Sequence, residues 1–438
     1  MHNLCPYDLV IGLDRSDAKA DLHFIDTKSH RRWSRVLDTA PERLHDWLAE
    51  LRAEYPDARV AVCVEQPATN LVLFLETYPW ITLHAINPLT LQKFREAFIT
   101  SRAKDDIKDA RFLAELTLTH WDKLPVWDPG DPLTRRLGQL VLHRRAVVNE
   151  RTALTNRLKA LLKQYFPQAL SLCSEELWRP LATAFLLRWP SLQAVQKAKT
   201  TALKAFYHIQ GSRSPKRLES RLALVAAAVP LTDEGALVDT FAMRVQLVCR
   251  QLEIIRDTID AYDAQIAEVF ADHPDHGIFS SLPGAGPVLA PRLLTTIGID
   301  RERYDSAEEL QRFTGIAPVT KQSGNKLHVH RRYRCPIFQR QSFHEYAKES
   351  VLHCRWAAAY YLQQREIKGA PHNTAVRALA FKWQRIIYRC WKDRQPYDDA
   401  RYEAELARRQ SPVVTLFDRV VVGRNPAKKS EQKSPQNN

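Results

Sequence analysis

The sequence has no run of about 18 consecutive apolar residues, so a membrane-spanning helix is not expected. Its seven cysteines are Cys5, Cys63, Cys173, Cys249, Cys335, Cys354 and Cys390; they form no C-x-x-C pair and are odd in number. That pattern disfavours a zinc ribbon and a disulfide framework and fits a reducing cytosol. The opening residues, MHNLCPYDLV, carry neither the basic region nor the apolar core of a secretory leader. What the chain has in excess is positive charge: 64 Lys and Arg against 50 Asp and Glu, a formal net charge of +14. Such an excess favours a polyanionic partner, either nucleic acid or an acidic membrane surface. At 438 residues and 45% apolar content, the chain can close two or three cores.

Hydrophobic periodicity organises the first 125 residues as mixed α/β. Segments 8–15 (DLVIGLDR), 20–26 (ADLHFID) and 31–37 (RRWSRVL) read as three close strands, an antiparallel meander. Leu44, Trp47, Leu48 and Leu51 fall at helical spacing behind Pro41, with Thr39 as the expected N-cap. RVAVCVE (59–65) has the continuous apolar character of a buried parallel strand. A helix, the strand ITLHAIN, another helix (88–98) and a helix over about 105–118 complete a βββαβαβα order. Two long helical patterns follow, 134–166 and 240–270, expected as arms of an antiparallel hairpin or a coiled-coil assembly surface. They bracket a Lys- and Arg-rich helical insertion at about 167–235. The expected divisions are 1–125, 130–275 with that insertion, a mostly α C-terminal part at 276–400, and a disordered tail at 424–438.

Four acidic residues stand at informative places. Asp14 ends the first strand and Glu65 ends the central one. Asp106 and Asp109 lie three apart in a first helical turn, so they share a face. Strand ends and a helix N-terminus can converge at one sheet edge, and clustered carboxylates there call for a hard cation such as Mg²⁺, which pairs naturally with phosphate substrates. Each residue also has a plain structural role available, since a strand end or the helix dipole accounts for it alone. Asp17, Asp21 and Asp26 stand outside the set.

LPGAGPVLAPRLLTTIG (282–298) looks like a helix-hairpin-helix element, with Gly284 and Gly286 in the turn. Backbone N–H groups beside a helix N-terminus can hold a phosphate without reading sequence. In GIAPVTKQSGNK (315–326), Ser323 precedes Gly324 in what reads as a polar loop. By composition that serine is a turn former; as a nucleophile it would need electrostatic help. Lys321 and Lys326 flank it, and Arg331, Arg332 and Arg334 follow. These cations can stabilise a pentavalent phosphate or hold a nucleic-acid backbone. Tyr333, Phe338, Trp383 and Trp391 are candidates for stacking on unpaired bases, the two tryptophans equally readable as core.

Taken together these segments resemble the DEDD transposases of bacterial insertion sequences, relatives of the pilin-gene invertase Piv, some described as bridge-RNA-guided recombinases. The likeness covers about 8–165 and 240–395. GLD at 12–14, VEQP at 64–67, and K-x-D-x-x-D-A at 104–110 match the family's motifs on Asp14, Glu65, Asp106 and Asp109, with Lys104 opening the last. Gly315-Ile316-Ala317-Pro318 and Ser323-Gly324 match its C-terminal motif. P-G-A-G at 283–286 matches its glycine turn, with Ala285 for the usual branched residue. The stretch after Ser323 lacks the family's usual glycine.

The resemblance implies a RuvC-like, ribonuclease-H-type N-terminal domain and a C-terminal domain with a catalytic serine. It implies that Asp14, Glu65, Asp106 and Asp109 bind Mg²⁺ (Mn²⁺ as an alternative), and that Ser323 attacks a phosphate of double-stranded DNA opposite them. It also implies a structured guide RNA, a homodimer or tetramer assembled through the long helices, and a bacterial cytoplasmic, nucleoid-associated setting without a membrane. Two rival readings remain: a metal-only nuclease or junction resolvase, and a nonenzymatic nucleic-acid architectural protein.

Overall fold

The computed structural model describes residues 5–423, except 17, 66–68, 99–105, 129, 174 and 325; within it the side chains of 69, 70, 106–108, 321, 323 and 327 are also left undescribed. The chain divides into two compact units, 1–129 and 130–438.

The first unit is a five-stranded sheet with helices on its faces. Its elements are β1 (Leu9–Arg15), β2 (Lys19–Asp26), β3 (Arg32–Asp38), α1 (Pro41–Glu54), β4 (Val60–Glu65), α2 (Thr69–Glu76), β5 (Ile81–Ile86), α3 (Pro88–Phe98) and α4 (Asp106–His120). The strand order is β3-β2-β1-β4-β5. The expected meander is present, with β2 antiparallel to both β1 and β3, while β1, β4 and β5 are parallel. Helix α1 is capped at Ala40 rather than at Thr39, and no side chain accepts there. Proline at its first position removes one unmet N–H donor, which lessens the demand for a capping oxygen.

Alternation along the strands assigns the two faces. Leu9, Ile11 and Leu13 of β1 join Val60, Val62 and Val64 of β4 in a core with Leu44, Trp47 and Leu48 of α1. The opposite face is covered by α4: Cys63 packs with Phe112, Leu113 and Leu116, and Val10 packs with Ala114. At Gly12 the two backbones meet. A Cβ there would sit 1.9 Å from the Ala110 carbonyl oxygen and 2.5 Å from the Ala114 nitrogen. Val10 lies against Ala114 and Gly12 reaches Ala110. Helix α4 therefore runs antiparallel to β1, with its N-terminus toward the strand's C-terminal end.

The second unit is helical apart from one hairpin. Helices α5 (Pro132–Tyr165) and α11 (Gly235–Ala271) bracket five shorter ones: α6 (Ala169–Leu172), α7 (Pro180–Arg188), α8 (Leu192–Gln196), α9 (Thr200–Ile209) and α10 (Pro215–Ala227). Beyond lie α12 (His276–Ser280), α13 (Gly286–Ile297), α14 (Ala307–Phe313), β6 (Val319–Ser323), β7 (Lys326–His330), α15 (Ile337–His353), α16 (Arg355–Leu362), α17 (His372–Lys392) and α18 (Asp399–Arg408). The long pair is antiparallel and carries a separate core at each end. Leu158 and Leu162 of α5 join Val245 and Leu252 of α11 and the short helices in one core. Leu137 and Val141 join Ile266 and Phe270 in the other, with α12–α18. Between the two, Arg144 and Asp263 form a bidentate ion pair at 2.5 and 2.9 Å.

Trp356, Trp383 and Trp391 are fully buried in the C-terminal core. Each indole N–H has an acceptor: Tyr397 Oη at 2.6 Å, Ser350 Oγ at 2.8 Å and the Gly298 carbonyl at 2.7 Å. Trp383 and Trp391 are thus core residues and not available for stacking on bases. Core packing claims a large apolar ring wherever its N–H finds a partner. Among the described residues no helix is long and apolar enough to cross a membrane.

Gly12→Ala is expected to destabilise the first unit by about 1–3 kcal/mol or more, since neither backbone can yield without parting α4 from the sheet. Urea unfolding, followed through Trp47 and the other N-terminal tryptophans, checks this. An unchanged midpoint would contradict the close approach.

Candidate active site

The four acidic candidates lie in the first unit. Asp14 follows Gly12 by two residues and Glu65 follows Cys63 by two, so both stand on the face covered by α4. β1 and β4 are parallel, with Leu13 beside Val64 in register, so Asp14 and Glu65 fall at the same C-terminal edge of adjacent strands. Open α/β sheets offer ligands this edge, where loops leave the strands and side chains escape the core. The antiparallel course of α4 brings its first turn, with Asp106 and Asp109, toward that same edge.

Asp109 is 5% exposed, and Arg95 of α3 donates Nη1–H to both its oxygens at 2.9 and 3.2 Å. In this arrangement the Asp109 carboxylate is already neutralised. The side chain of Asp106 and all of Lys104 lie outside the described residues. Among the described residues no group of three or more His, Cys, Asp or Glu side chains is placed to hold a metal ion. Asp14 and Glu65 supply oxygen donors suited to a hard divalent cation. Asp109 would join them only by exchanging Arg95 for the ion.

Sequence reasoning set Asp21 aside, but β1 and β2 pair Asp14 directly with Asp21. Both are half-exposed on the α4 face. Two carboxylates opposite each other across an antiparallel pair repel unless a cation lies near. The signal was present in the register: aligning the alternation of 9–15 against 20–26 pairs these two residues. Arg95 was also missed, as nothing in its helical spacing marks it as a carboxylate partner.

The candidate serine, Ser323, lies in the second unit. Segment 319–330 is not a polar loop: β6 and β7 form a hairpin whose last pair is Ser323 with Lys326. Gly324 takes φ +57°, the left-handed backbone a two-residue turn requires. The hairpin escapes hydrophobic patterning because few of its residues are apolar, though Gly-Asn between extended segments is a turn signal. Its base is anchored. Gly315 has φ +74°, and the space its Cβ would fill holds the Cys335 sulfur, 2.2 Å from that point. Ile316 is 1% exposed and the Ala317 N–H donates to the Gln311 carbonyl at 2.9 Å. Ser323 is thereby carried to the tip of an arm whose two ends meet at Gly315 and Cys335. The side chains of Ser323 and Lys321 are not among those described.

Cations and exposed apolar groups line the arm. Lys326, Arg331 and Arg334 are exposed, Arg332 is half-buried and its carbonyl accepts from Arg340 at 3.0 Å. Tyr333 is 77% exposed, with the Arg331 guanidinium 5.9 Å from its ring centroid. Phe338 packs against the C-terminal core and lies under Arg292 instead. Gly284 and Gly286 both adopt positive φ, +78° and +55°, and α13 starts at Gly286. Gly284 also presses on α15, since a Cβ would meet the His353 ring at 2.8 Å. The buried thiols are no rival nucleophiles: desolvation pushes Cys63 and Cys249 up to about 12.

Comparison with known proteins finds two family models, one for each end of the chain. A family model described as "Transposase", of the DEDD type, matches residues 11–167. A second, described as "Transposase IS116/IS110/IS902 family", matches residues 276–362. Among relatives, a candidate transposase of the IS117 mini-circle from Streptomyces coelicolor is 28% identical, covering 90% of this chain and 96% of its own. An uncharacterized 43.6 kDa protein of insertion element IS110, from the same organism, is 24% identical over 89% of this chain and 95% of its own. An uncharacterized 44.8 kDa protein of insertion element IS116 from Streptomyces clavuligerus is 25% identical over 86% and 96%.

The Arg95–Asp109 pair yields a direct test. Arg95→Met leaves a buried carboxylate without its counter-charge and is expected to cost about 3–5 kcal/mol in urea unfolding. Arg95→Met with Asp109→Leu should recover most of that loss. A single variant as stable as the parent would show that the pair does not hold in solution.

Proposed function

Because this chain belongs to the DEDD transposase family of the IS116/IS110/IS902 type, we propose that it is a DNA recombinase that cuts and rejoins strands through Ser323 and a carboxylate set of Asp14, Glu65, Asp106 and Asp109. One observation carries the reading. The two matched segments, 11–167 and 276–362, contain all four acids in one and Ser323 with the glycine turn in the other. An enzyme acting on DNA follows from the family; the serine chemistry is our finer reading.

In this reading the Ser323 Oγ–phosphorus bond forms as the phosphorus–O3′ bond breaks, and the serine proton ends on the departing 3′-oxygen. The reverse reaction with a different 3′-hydroxyl rejoins the strands and frees the serine. The phosphoryl group changes hands at nearly constant bond energy, so no external energy source is needed. Asp14 and Glu65, with Asp106 and Asp109, would hold Mg²⁺ (or Mn²⁺), which when bound neutralises phosphate charge. Lys326, Arg331, Arg332 and Arg334, with Lys104 and Lys321, hold the backbone by charge. Gly284 and Gly286 present backbone N–H groups at the start of α13 in the manner of a helix-hairpin-helix turn.

Strand exchange needs at least two such sites, so a dimer or tetramer is proposed. Met243, Leu247 and Ile254 of α11 are exposed and recur at helical distances as one apolar stripe, which supports assembly through the long, coiled-coil-like pair. A structured guide RNA would select the target, read through its shape and backbone by the basic surface, with action at the nucleoid in the bacterial cytoplasm.

Ser323→Ala is expected to abolish a covalent protein–DNA adduct and reduce strand cleavage by about 10³-fold or more, with DNA binding retained. Asp14→Asn and Glu65→Gln should cut cleavage comparably. Denaturing gels of end-labelled DNA read both. Normal cleavage by Ser323→Ala without an adduct would point to water as the nucleophile and sink the serine mechanism. Sequencing of nucleic acid copurified from the native host should return one discrete short RNA; random fragments would count against guidance.

A further inference from the structure

The largest cavity described in the second unit lies away from both the hairpin arm and the glycine turn in sequence. It has a volume of about 760 Å³ and is walled by α17, α18 and the loop between them, with Tyr360 of α16. That volume falls in the range of pockets that take small organic ligands.

Its charges are unevenly paired. Three carboxylates line it, and each is engaged. Asp393 pairs with Arg389 at 2.6 Å, Asp398 accepts from the Arg401 N–H at 3.0 Å as the cap of α18, and Glu405 holds Arg408 and Arg409 at 2.7 and 2.5 Å. Three cations remain. Among the described residues Arg385 reaches only Glu308, at 3.9 Å, with both side chains exposed. Among the described residues neither Arg401 nor Lys382 has a carboxylate within 4 Å. Lys382 is half-buried, and its ammonium lies 4.7 Å from the Tyr360 ring centroid and 5.6 Å from that of Trp356. Burial pushes that ammonium's pKa down, and Lys368 adds to the effect. The rings offset part of the cost of burying that charge, and an incoming anion would supply the counter-charge it lacks.

The opposite requirement is met by the same wall. Tyr360, Phe381 and Tyr402 line the cavity, each half-buried and so presenting some ring surface. Cations left over beside aromatic surface suit a ligand that joins phosphate to a flat ring. A base within a duplex reaches such a wall only by unpairing and unstacking, at a cost of a few kcal/mol that an unpaired base does not bear.

We propose that this cavity seats a short single-stranded nucleic-acid segment, with phosphates on Lys382, Arg385 and Arg401 and a base against Tyr360, Phe381 or Tyr402. The site is separate from the proposed serine chemistry and does not depend on it. DNA and RNA strands share the recognised chemistry, and the test tells them apart.

The full chain is irradiated with oligonucleotides of about eight residues carrying 5-iodouracil, one as DNA and one as RNA, and the adducts are mapped by mass spectrometry. Adducts at Tyr360, Phe381 or Tyr402 are expected with at least one of the two, and which one names the source. In parallel, anisotropy gives the affinity of Lys382→Met/Arg401→Ala for the same strands. It should fall about tenfold, and the slope of log K against log salt should shrink by about 0.7 for each lost phosphate contact. Arg385→Ala, at an exposed position, serves as a variant with little demand on folding and should weaken binding in the same direction. Thermal melting confirms that each variant is folded. Adducts confined to other regions, or unchanged affinity and slope in folded variants, would overturn the proposal. So would an equal loss for a duplex of the same length. None of these readouts involves strand cleavage, so they fail or succeed independently of Ser323.

Discussion

At Gly12 two backbones lie closer than any side chain would permit, and the acidic end of the first unit is arranged by that contact. The missing Cβ lets α4 settle onto β1 with Ala110 above the glycine. The helix direction follows from the packing, and so does the placement of its first turn near Asp14 and Glu65. A bulkier residue would lift the helix and separate the acids, even though every acid kept its place in the sequence. The glycine of the GLD motif is therefore a packing residue whose consequence is chemical.

The second unit solves a different problem. Two helices of 34 and 37 residues, about 50 Å each at 1.5 Å per residue, cannot be buried along their whole length by one core. The chain gives them one core at each end and an ion pair between. At the C-terminal end three tryptophans fill the interior with every indole N–H satisfied, which ties α16 to the loop between α17 and α18, and α17 to α15 and to the end of α13.

Much of this architecture was legible in the sequence because it rests on periodicity. The apolar run at 59–65, the alternation at 20–26 and the long helical patterns each declare a buried face, and the structure places elements there. The hairpin at 319–330 was not legible in that way. It buries little, so hydrophobicity leaves no mark on it, and only the Gly-Asn turn hints at its form. Tryptophans were ambiguous for the converse reason: an aromatic ring near cations serves a core or a ligand equally well until its N–H partner is known. Of the candidate site, the motif residues were readable in order and Asp21 could be found by aligning the two strand patterns, whereas Arg95 becomes visible only through tertiary packing. Asp21 depends on which residue β1 sets opposite it, and Arg95 on the packing of α3 against α4.

The antiparallel pairing of α5 and α11 also restricts how this chain can change length. The short helices α6–α10 close their own core at the far end of the pair, away from the C-terminal core. A shortened descendant could discard that end as a block, but only by trimming both long helices together and by matched amounts. An unmatched cut would leave one helix longer than its partner, with apolar positions beyond the Arg144–Asp263 ion pair facing nothing. Insertions and deletions here should therefore come at mirrored positions, distant in the sequence as Arg144 and Asp263 are at 119 residues, yet side by side in space, as with two legs of a ladder cut to the same rung.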